Sequence, residues 1–176
     1  MIACRRCVVL LVLVLPWSAV LVAQQSEICV STIPPNVQPG ILAEDLTALL
    51  QASATFRQQC ARIAAVRSAR VTVTLVQSPV RARAETTITR YSAGAVIADV
   101  RIAFGQDYRE LIAHEFEHII EQLDGVNLRA EAAGGRAWLI DSNTFETRRA
   151  LQAGAQVRRE CEIADTHAAH HVHELR

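Results

Sequence analysis

His114 and His118 stand four residues apart with Glu115 beside the first of them, in the run His114-Glu115-Phe116-Glu117-His118. On a helix advancing about 100° per residue, with His114 as zero, His118 falls at about 40° and Glu115 at about 100°. Ile112, Phe116, Ile119 and Leu123 cluster between about 140° and 200°. One face therefore carries two imidazoles a turn apart with a carboxylate at their side, and another is apolar and suited to packing on a sheet. Imidazoles at this spacing can reach one tetrahedral zinc ion, and the adjacent carboxylate is placed to polarise the metal's water rather than to bind the metal. The bland alternative is a charged, solvated helix face. Context favours the metal: the motif follows a strand, opens on a cap and lies opposite a clean apolar stripe.

A catalytic zinc normally takes three protein ligands and keeps a fourth position open. Three acids compete for the third place. Asp124, six residues beyond His118, matches the spacing of the HExxHxxGxxH/D pattern, but residue 121 is Glu where that pattern needs a Gly to turn the chain. On a continuing helix Asp124 points to about 280°, away from the imidazoles. Glu121, at about −20°, has the right direction but lies a further turn along the axis, so it reads as a solvated acid or one that supports a histidine. Glu146, near the start of the next long helix, can approach across the intervening loop and is the preferred ligand. Asn143-x-x-Glu146 also fits an ordinary capping box.

The elements that must hold these residues are legible as patterns. Ile41 to about Val66 has apolar positions at mostly helical intervals without Gly or Pro, which predicts one amphipathic helix. Arg70–Val76 alternates as a strand, Glu85–Tyr91 is a polar, Thr-rich second strand, and Val96–Phe104 is the cleanest alternation in the chain. Asp107-Tyr-Arg-Glu110 has the form of a capping box opening a helix that runs to about Asp124, with Gly125 at its C-terminus. A short element is expected at Ala137–Ile140 and a long final helix from Asn143 to about Ile163. The expected fold is thus α+β: an N-terminal helix, a small three-stranded, mainly antiparallel sheet, the HExxH helix and a C-terminal long helix.

This layout, with His114, Glu115, His118 and Glu146, resembles the zincin metallopeptidases, specifically a compact gluzincin-like domain. The resemblance implies one catalytic Zn2+ on His114, His118 and Glu146, with Glu115 as general base and a peptide or protein as substrate. It also implies that the last strand, Ala95–Phe104, forms the rim of a cleft where an extended peptide pairs with its edge. Many gluzincins carry an Asp four residues after the ligand Glu, hydrogen-bonded to a zinc-binding His. This chain has Ala150 there, so that partner must come from elsewhere, with Asp141, Glu117 and Glu121 as candidates. Tyr91 and Tyr108 read as packing residues. A zinc amidase acting on a non-peptide substrate, and a non-catalytic metal-binding or interaction protein with a degenerate site, are the alternatives.

Composition bounds the rest. The 176 residues hold 18 Arg, no Lys and 18 acids, are 51% hydrophobic and contain seven Gly and five Pro, which argues for one folded domain and against disorder or a polybasic nucleic-acid binder. Arg5 and Arg6 precede an uncharged run from Cys7 to Ala23, so residues 1–23 read as a signal peptide and the product as secreted or periplasmic. A membrane anchor is the competing reading, but Pro16, Trp17 and Ser18 interrupt the run, and no stable membrane association is expected after cleavage. Cleavage removes two Arg and no acid, leaving a net charge of −2. Residues 24–40, with Pro34, Pro35, Pro39 and Gly40, read as an extended linker, residues 41–165 as the zincin-like domain and residues 166–176 as a His-rich tail. The tail could gather metal but reads as a frayed end. Cys29, Cys60 and Cys161 remain after cleavage, an odd number without a CxxC.

Overall fold

Apolar alternation in the strands and apolar stripes on the helices demand a sheet covered by helices, and the chain folds that way. A computed structural model describes residues 31–77 and 83–174, with side chains through His170. The leader expected at residues 1–23, the first part of the linker, Cys29 and the side chains of His171 and His173 lie outside the described residues. The fold is α+β. In chain order it comprises β1 (Val37–Gln38), a 3-10 turn (Gly40–Leu42), α1 (Ala43–Ala52), α2 (Ala54–Ala65), β2 (Ala69–Val76), β3 (Ala84–Arg90) and β4 (Val96–Ala103). There follow α3 (Tyr108–Leu123), α4 (Leu128–Ala133), β5 (Ala137–Leu139), β6 (Phe145–Thr147) and α5 (Arg148–Glu174).

The main sheet has four strands in the order β1-β2-β4-β3 and is mixed, not mainly antiparallel. β1 and β4 both run parallel to β2, and only β3 is antiparallel to its neighbour. Alternation tells which face a strand buries, but not which neighbour it takes. β2 and β4 share the same in–out pattern and pair residue for residue from Ala69↔Val96 to Val76↔Ala103, which leaves the Thr-rich β3 outermost. β1 follows Pro34-Pro35 and is too short to show in the sequence. β4 is therefore enclosed on both sides, and among the described residues the free edge expected at Ala95–Phe104 belongs instead to β3.

Val71, Val73, Val100 and Ile102 on the sheet pack against Leu46, Phe56 and Ile63 of α1 and α2 and against Ile112, Phe116 and Ile119 of α3. The opposite face of β4 carries exposed Asp99 and Arg101, and Arg101 donates to Glu85 Oε1 at 2.7 Å. The first helix is two helices. Ser53 is extended (φ −120°, ψ 122°), and its Oγ accepts from the Phe56 N–H at 3.0 Å and donates to Glu160 Oε2 at 2.5 Å. Glu160 also accepts from the Thr55 N–H at 3.1 Å and from Thr55 Oγ1 at 2.7 Å. The break is thus made by a partner on α5, which local periodicity cannot report.

α3 has the expected limits. Asp107 Oδ1 accepts from the Arg109 N–H at 3.1 Å, and at the other end Gly125 adopts φ 75°. The Val126 and Gly125 N–H groups then return to the Glu121 and Gln122 carbonyls at 2.9 and 3.2 Å, a Schellman motif that needs a residue without a Cβ penalty at Gly125. The long helix, in contrast, starts later than expected. Phe145–Thr147 pairs antiparallel with Ala137–Leu139, and Asp141 tightens the turn by accepting from the Asn143 and Thr144 N–H groups. Thr147, not Asn143, caps α5, its Oγ1 accepting from the Ala150 N–H at 3.0 Å. α5 then runs through the segment expected to fray, as far as Glu174. Cys60 and Cys161 are buried free thiols, and burial pushes the Cys60 thiol up to about 12.

Candidate metal centre

Full burial of Ile112, Phe116 and Ile119 fixes the rotation of α3 and turns His114 and His118 toward the side reached by β6. The two Nε2 atoms lie 3.2 Å apart, with the rings meeting edge to face at 78°. Glu146 comes from β6, opposite Trp138 of β5, rather than from a helix. Its Oε2 lies 3.3 Å from His114 Nε2 and its Oε1 3.6 Å from His118 Nε2. The Thr147 N–H donates to Oε1 at 2.7 Å and holds the carboxylate in place.

Ligands of a tetrahedral ion at about 2.0–2.1 Å stand about 3.3–3.4 Å from one another. The two Nε2 atoms at 3.2 Å and Glu146 Oε2 at 3.3 Å from His114 Nε2 come close to that edge, and one ligand atom from each of His114, His118 and Glu146 lies within 4.8 Å of the others. Two imidazoles and one carboxylate converging in this way can hold a metal ion.

Their surroundings prepare the donors. Glu121, only 2% exposed, meets His118 Nδ1 through Oε2 at 3.1 Å, which leaves Nε2 turned to the centre. Of the three acids considered for this supporting place, Glu121 takes it. Glu117 binds elsewhere, and Asp141 lies in the β5–β6 turn. Burial disfavours a charged His118, but the hydrogen bonds to Glu121 and Glu146 outweigh it and raise the ring to about 9. Burial likewise opposes ionisation of Glu146, yet its bonds to His114 and His118 hold it at about 2.

Glu115 stays outside the converging triad. It is 4% exposed, and its Oε2 accepts from Thr86 Oγ1 of β3 at 2.6 Å. Burial raises its pKa, against the opposing pull of the Thr86 hydrogen bond and the two histidines. The arrangement is a buried carboxylate of raised proton affinity beside a three-donor cluster.

No family model, curated protein or solved structure matches this chain. What the site can do follows from its own chemistry.

Asp124 is not drawn to the centre. It pairs with Arg62 and accepts from Arg149 at 3.1 Å. Tyr108 packs on the core, Tyr91 is exposed, and His167 and His170 lie on the exposed end of α5. Two contributors had no place in the sequence reading. Thr86 faces α3 from the same side of β3 as Ala84 and Ile88, so a polar residue at an inward position was its signal. Gly154 lies where α5 crosses α3. A Cβ there would stand 2.9 Å from the Glu110 carbonyl oxygen and 3.2 Å from His114 Cβ, so only Gly lets α5 pass behind the first histidine. An isolated Gly inside a long helical pattern was the available sign.

Proposed function

We propose that this chain is an exported, zinc-dependent peptidase of the gluzincin-like zincin kind, with His114, His118 and Glu146 holding one catalytic zinc ion. The carrying observation is the convergence of three donors, with one ligand atom from each of His114, His118 and Glu146 within 4.8 Å of the others and buried Glu115 on their flank. Zinc, when bound, lowers the pKa of a water in its open position toward neutrality and polarises a carbonyl. Glu115 then accepts the proton of the attacking water and delivers it to the leaving amine. Burial raises its proton affinity, the direction that helps a carboxylate take up a proton. Thr86 fixes one carboxylate oxygen and leaves the other to act. An extended peptide is received along the open edge of β3, the strand that supplies Thr86.

Export rests on the uncharged run from Cys7 to Ala23 behind Arg5 and Arg6. Among the described residues no helix is long and apolar enough to cross a membrane.

Zinc-loaded protein incubated with an unfolded protein substrate is expected to release new amino termini. Glu115→Gln should keep its zinc and lose about 10²- to 10⁴-fold in rate. Intact substrate with the zinc-loaded wild type contradicts a peptidase. Cleavage of non-peptide amides alone would point to an amidase, and zinc binding without any turnover to a binding protein, a reading favoured by Ala150 at the position where gluzincins carry Asp.

A further inference from the structure

Glu117 lies between Glu115 and His118 on α3 and is only 7% exposed, yet the chemistry above gives it no task. Its carboxylate is engaged from both sides. Gln59 Nε2 of α2 donates to Oε2 at 2.7 Å and to the Ala113 carbonyl at 2.9 Å, and Arg149 Nε of α5 donates to Oε1 at 2.5 Å. Arg149 also reaches Asp124 Oδ2 with both terminal nitrogens, each at 3.1 Å. One guanidinium thus grips two acids seven residues apart on the helix that carries both histidines. Arg149 is also three residues beyond Glu146, and Thr147, whose hydroxyl caps α5, joins the two.

We propose that Arg149 is a positioning residue for the metal centre. Its grip on Glu117 and Asp124 fixes where α5 begins against α3, and so where Glu146 stands relative to His114 and His118. Several donors of a planar fork define both distance and angle, which a single point charge would not. Gln59 holds the acceptor still from the other side, so Arg149 docks on a carboxylate that is already oriented. Without Arg149, Glu117 is a buried charge lacking its ion-pair partner, and the start of α5 moves to let water in, carrying Glu146 with it. The inference rests on the reading of the triad as a metal centre and needs no turnover.

Zinc affinity measured by competition with a chromophoric chelator, together with the absorption spectrum of the cobalt(II)-loaded protein, tests it. Arg149→Met should weaken zinc binding about 10- to 100-fold and change the cobalt spectrum, as loss of a residue that orients a ligand does. Glu117→Gln removes the charge that Arg149 pairs with and should act in the same direction, which covers the case in which Arg149→Met fails to fold. The double variant should be no worse than Arg149→Met, because the ion pair lost in Glu117→Gln is among the contacts already lost there. Arg149→Lys, with charge but no fork, should fall between. Glu160→Gln loosens α5 at its contact with α2. It should lower thermal stability and leave zinc affinity unchanged. Wild-type affinity in Arg149→Met, or an equal loss in Glu160→Gln, overturns the positioning role. A wild type that binds no zinc would instead overturn the metal centre itself.

Discussion

Glu115 and Glu117 are both buried on α3, two residues apart, and face opposite flanks of the histidine stripe. On the β3 flank Glu115 meets a neutral hydroxyl, that of Thr86. On the α5 flank Glu117 meets a guanidinium and an amide. The same side chain at nearly the same depth is thereby given different partners. A buried carboxylate with only neutral hydrogen-bond support gains proton affinity and suits a base, whereas one paired with Arg becomes a fixed point between helices. Sequence spacing alone presents the two as equivalent acids beside the histidines. Their partners, on β3 and α5, make the difference.

The sharpest way to break the contrast is to neutralise each acid. Glu115→Gln should remove turnover with zinc content intact, whereas Glu117→Gln should show its effect first as weakened zinc binding, read by activity assay and metal titration on the same preparations. Next in size is Thr86→Val. It removes a donor that stabilises the ionised Glu115, so the pKa of Glu115 rises further. The acid limb of the pH–rate profile should move to higher pH and the rate at low pH should fall. An unshifted limb would show that Thr86 does not tune the base.

Gly154→Ala should cost about 1–3 kcal/mol by thermal or denaturant unfolding, because the new methyl meets the Glu110 backbone and has no flexible group to displace. It also pushes on His114 Cβ, so zinc affinity should fall with stability. The smallest effect concerns Glu160, where hydrogen bonds from Ser53, Gln156 and Thr55 overcome burial and hold the carboxyl at about 2, below its ordinary 4.5. A depressed pKa contributes stability that is full above the unfolded value and is lost as pH falls from about 4.5 toward about 2. Glu160→Gln should therefore be less stable than wild type at neutral pH and converge with it on acidification. Parallel stability curves over that range would contradict the assignment.

How far the sequence reached follows from which forces were local. The limits of α3 were legible because Asp107 and Gly125 act within a turn of the residues they cap, and the faces of β2 and β4 because alternation is a property of each strand alone. Glu146 was reached through topology, with its backbone read wrongly. The Asn143-x-x-Glu146 spacing suggested a helix start, whereas pairing of Phe145–Thr147 with Ala137–Leu139 made a strand there. The parallel pairing of β2 with β4, the break at Ser53 and the Arg149 contact all depend on partners distant in the chain. The same holds for Glu121, whose direction could be read from its angle on the helix but whose burial required the packed fold.

The central claim is that His114, His118 and Glu146 share one ion. Anomalous diffraction at the zinc edge, from crystals of zinc-loaded protein, tests it most directly. A single strong peak is expected, bounded by Nε2 of His114, Nε2 of His118 and the Glu146 carboxylate. No peak there, or a peak only among the histidines at the end of α5, would contradict it.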